Sequence, residues 1–229
     1  MGCDRLRWLL LGAALAAGCA STPPSSFYLL TPIQEAFSRE VDLSGGGISV
    51  GIGPVIFPQF LDRPQIVVRG GSNRLELNEF HRWGGTVQDD FLRVWGENLA
   101  HLLGSSRIVI FPTEARMPID FRITAEVVSF SAQPDGQVVL KVRWAVMDSY
   151  LEQALTVRED RYGCPIVAQP KVLSDGAVAG AGADAIDGWE PEAVVAAMSR
   201  CLGEFSRDVA VQLRSLPKPA PPTVTVEPL

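Results

Sequence analysis

Residues 119–148 read IDFRITAEVVSFSAQPDGQVVLKVRWAVMD, and this stretch decides the fold. Ile119, Phe121, Ile123, Ala125 and Val127 fall on one parity. Val142, Trp144 and Val146 do the same in the second run, where Lys141 and Arg143 take the other parity. A period of two is what a strand with one buried face requires, because successive side chains leave opposite faces of a sheet. Between the runs stands Pro134-Asp135-Gly136: a proline that fixes φ, an aspartate that bonds nearby amides, and a glycine free to take positive φ. The reading is an antiparallel hairpin of Ile119–Ser131 and Gln137–Asp148, with Gln153–Glu159 as a third strand.

Working outward, Phe27-Tyr28-Leu29-Leu30 and Ile48–Val55 read as strands, separated by a loop that Gly45-Gly46-Gly47 punctuates. Gln65–Arg69 and Arg74–Phe80 form a second hairpin across Gly70-Gly71-Ser72-Asn73, with Leu75 and Leu77 on one face, and Arg107–Phe111 is a short strand. Val87, Phe91, Val94, Asn98 and Leu102 recur at helical spacing, and Trp95 and Leu99 widen the stripe, so a helix is predicted over Val87–Leu103. Thr86 followed by Asp89 is capping-box chemistry, Asp89 and Asp90 suit the positive end of the helix dipole, and Gly104 is a stop signal. Pro191 opens a last helix carrying Val194, Met198, Cys201, Phe205, Val209 and Leu213 on one face. Residues 163–188 are rich in Gly and Ala without a clean period and read as irregular. The prediction is one α/β (α+β) domain over residues 27–216, with a mixed or antiparallel sheet covered by two main helices. Trp83, Trp95, Trp144 and Trp189 are its expected core or half-buried anchors.

The N-terminus has a different logic. Arg5 and Arg7 precede the apolar run Trp8–Ala17, and Gly18 precedes Cys19. A basic start, a short hydrophobic segment and small residues before a cut make residues 1–18 a secretory signal peptide. The run is half the length of about 20 apolar residues that a spanning helix needs. Leu15-Ala16-Ala17-Gly18-Cys19 resembles the bacterial lipobox, although Ala16 stands where a large aliphatic is usual. The resemblance implies that Cys19 is acylated and becomes the first residue, with 19–26 as a lipidated tether. Ala20, in place of an aspartate, implies the outer membrane, periplasmic face. The tail 217–229 is Pro-rich and expected to be extended or disordered.

The 229-residue chain carries a net charge of −6 and no basic run, which argues against nucleic acid as a partner. Cys164 and Cys201 are an even pair in an exported chain, where oxidised cysteines persist. A disulfide is expected, the alternative being two separately buried thiols. Their spacing fits no zinc pattern, and no metal or cofactor is expected. His81 and His101 belong to no nucleophile or metal motif, so the chain does not read as an enzyme.

Several stretches resemble one family, the ABC-type transport auxiliary lipoproteins, best represented by the PqiC-type membrane-integrity lipoproteins. They are Phe27-Tyr28-Leu29-Leu30, Val50-Gly51-Ile52-Gly53-Pro54-Val55, the run from Phe57 to Val67, Asn78–Trp83 and the final helix. Leu61-Asp62-Arg63-Pro64-Gln65 is the most specific element, and Arg82-Trp83 supports it. Gly84-Gly85-Thr86-Val87 departs from the family pattern, and residues 150–187 align with nothing in it. The resemblance implies a non-catalytic outer-membrane subunit of an envelope lipid-transport system, with phospholipid as the expected cargo. Its partners would be an inner-membrane permease and ATPase or an MCE-domain protein bridging the periplasm, and it could form a homo-oligomer. The alternative is a stand-alone structural lipoprotein in envelope or cell-wall assembly.

On their own chemistry, Leu61–Gln65 form a constrained turn, since Pro64 drives Arg63 out of helical geometry. Asp62 can bond nearby amides, and Arg63 offers a planar fork of donors suited to a carboxylate or carbonyl. Two readings are open: Asp62 and Arg63 lock two strands together, or they touch a partner. Glu79, Arg82 and Trp83 likewise read either as a binding constellation or as an internal ion pair beside a packed indole.

Overall fold

A computed structural model describes residues 24–33, 47–113, 117–148, 153–167, 171–172, 178–179 and 190–219. The signal peptide, Cys19, Trp189 and the tail from residue 220 lie outside these. The strands are β1 (Ser26–Tyr28), β2 (Val50–Ile56), β3 (Gln65–Arg69), β4 (Leu75–Trp83), β5 (Ile108–Ile110), β6 (Phe121–Ala132), β7 (Gln137–Asp148), β8 (Ala154–Pro165), β9 (Lys171–Val172) and β10 (Val178–Ala179). Two helices, α1 (Val87–Leu103) and α2 (Pro191–Ser215), complete the elements. Fold class and helix count follow the sequence reading: one α+β domain with a mixed, curled sheet and two helices packed against it.

The central hairpin is built as its alternation demands. Phe121, Ile123, Ala125 and Val127 sit opposite Asp148, Val146, Trp144 and Val142, and all of these side chains are buried. Gly136 makes the turn at φ 82°, a region other residues enter at a cost. β6 is the hub of the sheet. One of its edges pairs with β7 throughout, and the other takes β2 in parallel along its first half and β3 at Ala132. From there the sheet runs outward in two arms, β2 to β5 and β3 to β4 to β1, while β8 lies beyond β7. β9 and β10 pair with each other in a separate small sheet.

α1 lies over β2 and β5, and α2 over β6, β7 and β8. Thr86 Oγ1 accepts from the Asp89 amide at 3.1 Å, and Gly104 closes α1 in the left-handed region, as the capping pattern requires. Phe205 of α2 is fully buried among the rings of Phe91, Trp95, Trp144 and Tyr162. Burying one such side chain contributes about 1.5–3 kcal/mol. Asn98, which the sequence placed in an apolar stripe, is buried. It accepts from the Ile33 amide and donates to Ser206 Oγ, tying the N-terminal segment and α2 to α1.

Three expectations need correction. β8 runs to Pro165 rather than ending at Glu159, because pairing with β7 continues down to Gln137↔Pro165 and Tyr162 and Cys164 are buried. The irregular reading of 163–188 therefore starts too early, and it also contains β9 and β10. β4 continues past Phe80 to Trp83, since β1 pairs in parallel along His81–Trp83. Leu75 and Leu77 share a face as expected, but that face is turned to solvent. The sulfurs of Cys164 and Cys201 lie at disulfide distance, 2.19 Å, with Cα atoms 5.7 Å apart.

Candidate functional site

The turn after β2 is held by its own backbone. Leu61 N–H donates to Pro58 O, Asp62 N–H to Gln59 O and Arg63 N–H to Leu61 O, while the Leu61 side chain is 3% exposed and plugs the turn into the core. Pro64 cannot donate, and its carbonyl instead accepts from Trp83 N–H at 2.7 Å, locking the turn to the end of β4. Asp62, Arg63 and Pro64 are exposed. Among the described residues neither Asp62 nor Arg63 has a side-chain partner, so they do not clamp one another.

Gln65 and Arg82 are register partners across β3 and β4, and Phe27 faces Arg82 from β1. Their side chains therefore form one row on one face. Beside it β4 bulges, which slips the register between Gln65 and Val67. The Phe80 amide bonds Asn78 Oδ1, and Arg82 Nε donates to Glu79 O at 2.9 Å. Gln65 Nε2 reaches both Glu79 oxygens, at 3.2 and 3.0 Å, and Arg82 lies 3.5 Å from Glu79 Oε2. The structure thus brings Asp62–Gln65, Glu79 and Arg82 onto one surface. Leu61 and Trp83, the latter 5% exposed, stay buried and serve as anchors beneath it.

Sequence reasoning left out Phe27 and Leu29, 67% and 56% exposed beside this row. The signal was parity: Tyr28 and Leu30 turn inward, Tyr28 bonding His81 Nδ1 at 2.9 Å and Leu30 being buried, so their neighbours must face outward. His81 is thereby a structural residue in contact with a phenol. His101, in the last turn of α1, is half-buried. Among the described residues this surface pairs no nucleophile with a base. It presents hydrogen-bond donors, a carboxylate and an exposed aromatic ring, which suits recognition of a polypeptide.

Among the described residues no group of three metal-ligating side chains occurs, and no helix is long and apolar enough to cross a membrane. A family model for the ABC-type transport auxiliary lipoprotein component matches residues 28–210. No curated protein matches the chain. Among solved structures, an uncharacterized protein is similar at 14% identity and TM-score 0.59, covering 83% of this chain and 99% of the other. Protein XCC0632 from Xanthomonas campestris is similar at 12% identity and TM-score 0.57, covering 85% and 94%. At such identities the likeness concerns the fold alone.

Proposed function

Because the chain belongs to the family of ABC-type transport auxiliary lipoprotein components, an auxiliary and non-catalytic role in an ABC-type transport system, we propose that it is the outer-membrane docking subunit of an envelope lipid transporter. Cys19 carries the lipid anchor, phospholipid is the cargo, and an MCE-type protein bridging the periplasm, served by an inner-membrane permease and ATPase, is the partner. The observation that carries this reading is the exposed Asp62-Arg63-Pro64 turn: a rigid backbone presents an arginine fork with no side-chain partner among the described residues. A backbone fixed in advance lowers the ordering cost of binding through that arginine, whose fork suits a carboxylate or carbonyl. The tether supports the same geometry, since β1 follows it directly and forms the edge of the surface, keeping the docking face near the anchor.

The test is Arg63→Ala in the full, lipidated protein. Thermal unfolding is expected to stay within about ±0.5 kcal/mol of wild type, as for exposed substitutions generally. Co-purification of the bridging protein from detergent-solubilised envelopes is expected to fall, and cells to become sensitive to detergent. A variant that loses stability yet binds normally once folded would overturn the docking role.

A further inference from the structure

β1 ends one arm of the sheet, pairing with β4 alone among the described strands. Parity divides its residues. Tyr28 bonds His81, and Leu30, just past the strand, is buried with its amide donating to Asp90, so these two hold the segment to the body. Phe27 and Leu29 leave the opposite face and are exposed. Gly84 gives Leu29 its place: the Gly84 amide donates to Tyr28 O at 2.9 Å, and a Cβ at Gly84 would meet Leu29 Cδ2 at 3.1 Å. Gly84, Gly85 and Thr86 are exposed too and set no bulky side chain beside the pair. Charged residues at this end of the domain include Glu79 and Arg82 on β4, Asp62 and Arg63 on the turn, and Asp89 in the first turn of α1. Three carboxylates against two guanidiniums neither draw in nor repel a headgroup layer strongly, so the affinity of this corner for lipid is apolar.

Single exposed apolar side chains are ordinary on a protein surface. Chain position sets this pair apart. Phe27 stands eight positions after Cys19, and eight extended residues span at most about 26–29 Å. An acylated Cys19 sits at the headgroup level, so Phe27 never leaves that reach of the leaflet. Tethering makes the contact intramolecular, and a patch too small to bind a membrane from solution then suffices.

We propose that Phe27 and Leu29 seat in the interfacial layer of the leaflet that holds Cys19, where headgroups meet acyl chains. Apolar faces of interfacial segments reach about 5–10 Å into that layer. The lipid on Cys19 limits how far the domain strays from the membrane. The second contact fixes which way the domain faces, and so holds the Asp62-Arg63-Pro64 turn in one orientation toward a partner. This inference rests on the Cys19 anchor of the proposed function and not on the docking turn.

Nitroxide accessibility in the full, lipidated protein, reconstituted in phosphatidylcholine vesicles with no partner added, tests it. The probe is attached at Gly85→Cys, where an added Cβ meets nothing within 4 Å, and at Val211→Cys on α2 as an exposed reference. Cys164 and Cys201 are buried and do not compete for the label. At position 85, collision with a water-soluble nickel chelate is expected to be about fivefold lower than at 211 with oxygen collision retained, since the interfacial layer excludes the chelate and admits oxygen. Phe27→Ser/Leu29→Ser, two exposed changes that leave Tm near wild type, is expected to restore nickel access at 85. Equal nickel access at 85 and 211, or access at 85 unaltered by the serine pair, would overturn the proposal. So would loss of both collisions at 85, which would give the pair to a protein surface such as a second copy. The intact mass of the same sample separates the premises. No acyl group on Cys19 overturns the anchor and this inference together, whereas an acylated protein with an accessible probe overturns this inference alone.

Discussion

The β6–β7–β8 half of the sheet and the β1–β4–β3 arm use the same strand chemistry to opposite ends. In the first, the alternation slips once in β6, between Val127 and Ser129, but the strands stay covered by the helices, and polar groups are answered within the chain. Trp144 Nε1 donates to Asp160 at 2.8 Å, Tyr162 OH to Asp208 at 2.9 Å, and Arg143 on the open face joins Glu126 and Glu159. In the second, the register slips at the β4 bulge, and the slip turns Arg82 outward next to Glu79 and to Phe27 of β1, beside a turn whose arginine has no side-chain partner among the described residues. The slip in β6 is covered and carries Phe130 back into the core, building a wall; the slip in β4 is uncovered and leaves side chains exposed, because bulges re-aim side chains.

The contrast breaks first, and most, at Cys164 and Cys201. Both are buried, and their sulfurs meet at disulfide distance between the end of β8 and the middle of α2, 37 residues apart in sequence. Closing a loop of this size contributes about 4 kcal/mol in the chain-entropy model. Replacing both with Ala is therefore expected to lower Tm on the order of 10 °C. Partner binding at 20 °C should survive, since the bridge lies in the walled half. Alkylation of two thiols in unreduced, denatured protein would show that no bridge forms and remove the premise.

A smaller effect is expected at Asp120, where β2 and β6 start. Its buried carboxylate accepts from the Ser49 amide and hydroxyl, both at 2.8 Å, and lies near Lys218. Burial works against the charge, but the Ser49 bonds and Lys218 outweigh it and hold the carboxyl below its ordinary 3.8. A depressed pKa means the folded state favours the ionised form. The stabilisation is present above about pH 4 and fades as pH falls through the lowered value. Asp120→Asn is expected to cost about 1–3 kcal/mol at pH 7, as for a charge-assisted bond. The gap to wild type should narrow toward pH 3 in urea titrations. A gap independent of pH would mean that shape, not charge, does the holding.

Both helices were legible to the residue or nearly so, because caps and spacing are local: Thr86, Asp89 and Gly104 bound α1, and Pro191 starts α2. The central hairpin was legible for the same reason. The long-range pairings were not. The third strand was legible only to Glu159, and nothing in Asp160-Arg161 announces its continuation, yet β8 persists through them because β7 offers partners on one side and Tyr162 and Cys164 find cover on the other. The parallel pairing of β1 with β4 joins residues more than fifty positions apart and leaves no periodic mark. Within the candidate site, sequence chemistry found the turn and the Glu79–Arg82 pair. Tertiary packing decided which of those residues would be buried, and so separated Leu61 and Trp83 from the rest.

The smallest expected effect is at Glu79, and it tests the exposed arm most sharply. The Glu79–Arg82 pair is long at 3.5 Å, with side chains 63% and 38% exposed, so it belongs to the class of surface pairs worth about 0–1 kcal/mol. The bulge does not depend on it. Backbone-directed bonds hold the shape, from Phe80 N–H to Asn78 Oδ1 and from Arg82 Nε to Glu79 O. Glu79→Gln keeps an acceptor for Gln65 and removes only the charge, so Tm is expected to move by less than about 2 °C. If the arm is a docking face, the change should act on encounter: the association rate with the bridging protein should lose part of its salt dependence, while dissociation stays near wild type. Stopped-flow association at 50 and 300 mM salt reads both quantities. A loss of stability above about 1 kcal/mol, with association unaltered, would make Glu79 a fastener like those of the β6–β7–β8 half and erase the distinction between the two regions.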